Sequence, residues 1–166
     1  MATTTKFIVN TEIHNKWKHT DDKVLSDVIN EGKHNLSLTI EDGQGNDRAN
    51  LGWYQTFFLT PGESREFDLN NLSETVYGGY TIQKDFHLVK LFEIETISPS
   101  ATFIVGSSGV ASGVTFLGSV HEIGTSGVLS LVTPVGYEIG DSGNLVVKNP
   151  DNIKNLICNL IVIGES

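Results

Sequence analysis

A chain of 166 residues, 39% hydrophobic and 19% charged, is long enough for one domain with a sizeable core and short for two full ones. A net charge of −9, with no Lys or Arg between Lys90 and Lys148, works against binding nucleic acid, where affinity comes largely from basic residues that neutralise phosphates. No apolar run approaches the roughly 18 residues of a membrane span, and the single cysteine, Cys158, excludes an intrachain disulfide and a cysteine-based zinc site.

The N-terminus, MATTTKFIVN, lacks the long apolar run of a signal peptide, so neither export by that route nor a membrane anchor is expected. Residues 1–34, rich in Lys and His, read as an arm. Within them DDKVLSDVINEGK, residues 21–33, has the pattern of one short helix: Asp21 or Asp22 as N-cap, Val24, Leu25, Val28 and Ile29 as the apolar stripe, Gly32 as the stop. Elsewhere alternation at period two recurs from end to end of the chain. In NLSLTIE, Leu36, Leu38 and Ile40 share one face and Ser37, Thr39 and Glu41 the other. GWYQTFFLTPGESREFDL predicts two strands around a type II turn at Pro61-Gly62. YTIQKDFHLVKLFEIET predicts one long central strand, with Phe86, Leu88, Phe92 and Ile94 on one face and Val89 and Leu91 on the other.

Residues 106–127 hold six Gly and five Ser, yet Val114, Phe116, Leu117, Val120 and Ile123 are too apolar for a free linker, which predicts a long ordered loop carrying a short strand. ATFIVG, GVLSLV, VGYEI, NLVVKN and NLICNLIVIG complete about ten strands. The last is apolar on both faces, Leu156, Cys158, Leu160 and Val162 against Ile157, Ile161 and Ile163, so it is central in a sheet or packed against another subunit. The predicted class is all-β: an antiparallel, jelly-roll-like sandwich over residues 35–166, with an N-terminal arm and at most one short helix.

Chemistry-bearing motifs read as structure. Gly140-Asp141-Ser142-Gly143 carries the letters around a serine-protease nucleophile, but none of the five histidines has the matching context, and the residue types suit a turn between strands 135–139 and 144–148. VGSSGVASG lacks the Gly-Lys-Ser/Thr ending of a phosphate loop. DGQGNDRAN, residues 42–50, matches one copy of a calcium repeat that needs stacked copies to complete its oxygens, so Asp42 and Asp47 read as parts of a polar hairpin. His14 and His19 lack a third ligand. Trp53 and Tyr54 fall on opposite faces, so one belongs to the core and a sugar-stacking platform is poorly supplied. No nucleophile, base and orienting group occur together, so the expectation is no enzyme, no cofactor and no metal.

The order of motifs over residues 35–166 resembles small virion structural proteins of tailed bacteriophages. It runs from an Asp-Gly-x-Gly turn before a Trp strand, through an FDL strand and a Gly-containing hairpin, to a long strand with FHLVKLFEI and a closing GNLVVKN…LIVIGES segment. The resemblance implies a capsid decoration (cement) or head-fibre-type protein, located in the virion, that binds the outside of the major capsid protein shell and forms a homotrimer, without nucleic acid or membrane. On that reading Ile157, Ile161 and Ile163 form the oligomer interface, and Lys6, Phe7, Ile8 and Val9 the capsid-contact arm. The N-terminal 34 residues and the apolar Gly/Ser middle depart from the family pattern. The alternative from another class is a carbohydrate-binding tail or surface-fibre module.

Overall fold

Apolar residues spaced at two predict a strand-built molecule, and strands are what the chain forms. The computed structural model describes residues 6–19, 28–75, 79–98, 101–106, 114–117, 120–139 and 143–166, with residues 6–39 described by their backbone. Among the described residues there are strands and two single 3-10 turns, Leu69–Asn71 and Thr115–Leu117, with no α-helix and none long and apolar enough to cross a membrane. The fold is all-β.

The chain opens with β1 (Lys6–His19) and β2 (Val28–Asp42), paired antiparallel over 14 residue pairs from Lys6 opposite Glu41 to His19 opposite Val28. The helix expected over 21–33 is therefore wrong from Val28 onward, and residues 21–27 lie outside the described residues. Val28 and Ile29 are β-branched, and a facing strand supplies the hydrogen bonds that an isolated short helix would supply only to itself. The boundary drawn at residue 34 falls inside β2, which runs unbroken past it.

The base of this ribbon is joined in parallel to the two-residue β3 (Arg48–Ala49). Next come β4 (Leu51–Leu59) and β5 (Ser64–Asp68), then β6 (Leu72–Thr75) paired with β7 (Thr81–Lys84). β8 (Leu88–Thr96), β9 (Phe103–Val105), β10 (His121–Ile123), β11 (Val128–Glu138), β12 (Asn144–Lys148) and β13 (Leu156–Glu165) complete the chain. Two four-stranded antiparallel sheets carry most of them, in the orders β11-β8-β13-β4 and β10-β9-β12-β5.

One core draws on both sheets. Trp53, Phe57, Phe92, Ile94, Leu160 and Val162 come from the first, and Phe67, Phe103, Val105, Leu145 and Val147 from the second. Phe67 meets Phe57 and Trp53 edge-on, with ring centroids 4.9 and 5.9 Å apart, a geometry that adds about 0.5–1.5 kcal/mol per pair beyond the area buried. From the Gly/Ser-rich segment Val114 and Leu117 are buried in this core, and Phe116 and Ile123 pack against it.

Two turns are as expected locally and different globally. Pro61-Gly62 is a type II turn, with Gly62 at φ +75° and Glu63 N donating to Thr60 O at 3.1 Å. It nevertheless connects β4 to β5 across sheets, not within a hairpin. The segment between Glu138 and Asn144 likewise crosses from one sheet to the other.

The long strand expected from Tyr80 to Thr96 is two strands, β7 and β8, interrupted at residues 85–87. Within β8, Leu91 stands opposite Ile163 but Val89 opposite Gly164, so Lys90 is an extra residue in the ladder. That bulge turns Val89 to the core beside Phe92 and Ile94, not to the side of Leu91 where plain alternation puts it.

Candidate interaction surface

β13 lies between β8 and β4, hydrogen-bonded on both sides, which accounts for its two apolar faces. One face, with Leu156, Cys158, Leu160 and Val162, is in the core. Burial there pushes the Cys158 thiol up to about 12 and leaves it without thiolate character.

The opposite face can be read off the register in rows across the sheet. Gly52, Ile163, Leu91 and Val132 form the first row, Tyr54, Ile161, Glu93 and Ser130 the second, and Thr56, Asn159, Glu95 and Val128 the third. Phe58 stands opposite Ile157 in the fourth, next to which Ile97 N donates to Ile157 O at 3.0 Å.

The first row is covered. Ile40, at the base of the N-terminal ribbon, is fully buried with Ala49, Leu91 and Ile163, while Val132 and Ile161 pack at the edge of this second cluster. The other rows are open. Tyr54 is 56% exposed, Phe58 49% and Ile97 53%, and Ile157 and Ile161 are half-buried. Of the three isoleucines assigned to an interface, the structure thus closes Ile163 within its own chain and leaves Ile157 and Ile161 on a shared face with Tyr54 and Phe58.

The third row is a polar belt across this apolar ground. Asn159 Oδ1 accepts from Thr56 Oγ1 at 2.7 Å and from Tyr54 Oη at 3.1 Å, and Asn159 Nδ2 donates to Glu95 Oε1 at 2.7 Å. At the β4 edge a groove of about 500 Å³ opens between Asn50, Tyr54, Ile161, Glu74 and Lys84. The Lys84 ammonium donates to Gly52 O and pairs with Glu74, so it occupies an acceptor that the edge strand would otherwise offer to another chain.

Sequence reasoning overlooked Phe58, although it shares the alternation parity of Tyr54. It also overlooked Lys90, whose signal is a lysine inside the apolar run FHLVKLF. The Lys90 side chain is fully buried, and its Nζ donates to Gly45 O at 2.7 Å and Pro134 O at 2.9 Å and meets Glu165 Oε1 at 2.7 Å. Gly45 N donates to the same Glu165 oxygen at 3.0 Å. The loop 42–50, read as a polar hairpin in preference to a calcium site, is clasped by this ammonium, with Asp42 and Asp47 exposed. Among the described residues no three His, Cys, Asp or Glu side chains group as metal ligands.

Trp53 is the buried member of its pair, its Nε1 donating to Ser73 O at 3.0 Å, and Tyr54 the exposed one, on opposite faces as alternation requires. Lys6, Phe7, Ile8 and Val9 stand opposite Glu41, Ile40, Thr39 and Leu38 at the base of the ribbon, and His14 and His19 opposite Lys33 and Val28 further along it. Gly140, Asp141 and Ser142 lie outside the described residues; Gly143 is buried, its carbonyl accepting from Leu69 N at 2.9 Å. Comparison with protein-family models, with curated proteins and with solved structures returns no match for the chain.

Proposed function

We propose that this chain is a structural protein of a tailed-bacteriophage virion, a decoration or cement-type protein that binds the outside of the major capsid shell and stabilises it, with no catalytic role. The two four-stranded sheets would lie face to face as a jelly-roll-like sandwich, and the protein would act as a homotrimer matching local three-fold points of a shell. The observation that carries the reading is the pairing of a rigid β domain with two features suited to contact: a 14-pair ribbon and an open apolar sheet face. The motif order over residues 35–166 supports the same reading.

Quantitative mass spectrometry of purified virions tests it. Stoichiometric copies on intact heads, together with lower resistance to heat or chelator in particles lacking the protein, are expected. Absence from particles sinks the idea. A carbohydrate-binding module is the second reading, favoured by the exposed Tyr54 ring beside the groove lined by Asn50, Glu74 and Lys84. Glycan-array binding that disappears in a folded Tyr54→Ala variant would replace the first reading with this one.

A further inference from the structure

A strand at the edge of a sheet offers unpaired N–H and C=O groups to any extended chain, and proteins blunt such edges with charge, proline, bulges or short length. The two four-stranded sheets end on β11, β4, β10 and β5. β11 carries Pro134 and a break in register between Val132 and Tyr137, and Pro134 O is taken by Asp47 N and Lys90 Nζ. β5 carries Arg65, Glu66 and Asp68, and β10 is three residues long with Glu122 at its centre. β4 has none of these devices: LGWYQTFFL is uncharged, free of proline and paired with β13 along its whole length without a break.

The register shows which backbone groups of β4 are open. Ile97 N donates to Ile157 O on the β8 side of β13, so by alternation Leu156, Cys158, Leu160 and Val162 bond toward β4, where they meet Leu59, Phe57, Gln55 and Trp53. The N–H and C=O groups of Gly52, Tyr54, Thr56 and Phe58 therefore point to the free side. Lys84 Nζ donates to Gly52 O and closes one end of this row. Glu63 Oε2 accepts from Thr60 N at 2.7 Å and closes the other. Among the described residues no partner takes the backbone groups of Tyr54, Thr56 and Phe58 between them.

That open stretch is complementary to itself. Thr56 is its midpoint, so a second β4 laid antiparallel about a two-fold axis at Thr56 sets Tyr54 opposite Phe58 of the second copy and Thr56 opposite itself. Each open donor then meets an open acceptor. An axis at Gln55 would set Phe58 against the occupied Gly52 O, and one at Phe57 would set Tyr54 against the occupied Thr60 N. Aromatic pairs and Thr–Thr pairs across strands are favourable, and Tyr54 and Phe58, 56% and 49% exposed, are the rings this contact covers. Charge does not oppose it. The Arg65 guanidinium lies over the Phe57 and Phe67 rings on the core side of β4, and Glu93 and Glu95 stand two strands in from the edge.

We propose that β4 pairs edge to edge with β4 of a second copy of this chain, antiparallel about a two-fold axis at Thr56, joining two β11-β8-β13-β4 sheets into one continuous sheet. The inference does not rest on the capsid reading. A two-fold contact alone closes a dimer, and together with a three-fold contact it closes a hexamer.

The test uses the full chain. Light scattering of the wild type should give an even number of chains, and Thr56→Pro should halve that mass, because proline removes an N–H that points away from β13 and leaves the ladder within the chain intact. Circular dichroism should show that variant folded. Thr56→Cys should oxidise to a disulfide-linked pair of chains, since a residue on the axis meets its own copy at about 5.5 Å between Cα atoms; the native Cys158 is buried. Val128→Cys, exposed in the same row on the opposite edge of the sheet, should not. A wild-type mass of one or three chains, a folded Thr56→Pro variant of unchanged mass, or Thr56→Cys linking no more readily than Val128→Cys would each overturn the proposal. Should Thr56→Pro misfold, the two cysteine variants decide. Virion abundance decides the capsid reading separately, so the two can fail independently.

Discussion

Replacing Lys90 with Met removes a fully buried ammonium and strands its three acceptors, the carbonyls of Gly45 and Pro134 and the carboxylate of Glu165. Methionine fills most of the volume of the aliphatic stem, so the perturbation is electrostatic more than steric. Breaking a buried pair from one side costs about 3–5 kcal/mol, because the surviving charge keeps its desolvation penalty and loses its partner. Glu165 keeps the Gly45 N–H bond, and its side chain is 9% exposed, which favours the lower end of that range. Even so, the loss is a large part of a typical stability of about 5–15 kcal/mol. At about 2–4 °C per kcal/mol for a chain of this size, the melting temperature should fall by roughly 6–20 °C. Urea unfolding followed by fluorescence measures it directly, since Trp53 leaves the core on unfolding. Removing both charges in Lys90→Met/Glu165→Leu should cost less than the sum of the single changes, with a coupling of about 0.5–3 kcal/mol. A Lys90→Met loss below about 1 kcal/mol, the range of solvent-exposed pairs, would refute the reasoning, as would strictly additive losses.

Gly143→Val should destabilise by about 1–3 kcal/mol, because a Cβ there would lie 2.9 Å from both Asn70 Oδ1 and Ile139 Cγ2. Ser142→Ala should change stability and fluorophosphonate labelling not at all, and labelling of wild type lost in Ser142→Ala would restore the nucleophile. Cys158, its thiol pushed up to about 12 by burial, should react with iodoacetamide at neutral pH only as fast as the protein unfolds; rapid labelling of the folded state contradicts its placement. The Asp151 carboxylate accepts from Ile153 N at 2.7 Å and Lys154 N at 2.9 Å, which holds its carboxyl below the ordinary range. A depressed folded-state pKa contributes stability that is present above the unfolded value and lost as pH falls through the folded one. NMR titration should therefore place Asp151 below an ordinary aspartate, and Asp151→Asn should remove that part of the acid-side loss; an ordinary titration refutes it.

Strand identity was legible because alternation at two reports directly on a half-buried ladder. That Trp53 and Tyr54 lie on opposite faces with one in the core, and that β13 needs a cover on both faces, follow from which neighbours in the sequence are apolar; that Trp53 is the buried one and that β13 is central came from the structure. The helix expected over 21–33 failed from Val28 onward, where the pattern was short and ambiguous and an antiparallel partner 14 residues long decided for strand. Of the interaction surface, Ile157 and Ile161 were visible as the second apolar face of one strand, whereas Phe58 became visible only as the register partner of Ile157.

The sequence by itself determined the secondary structure of most of the domain and the turn geometry at Pro61-Gly62, because these depend on residues within a few positions of one another. Only the tertiary structure decided which sheet each strand joined, since a turn reverses the chain without choosing its hydrogen-bond partners. It alone placed Lys90 against Glu165 and the loop at Gly45, residues far apart in sequence that meet through a bulge. It also decided which part of the apolar face around Ile163 is covered, because the cover, Ile40, arrives from a strand whose position no local pattern encodes.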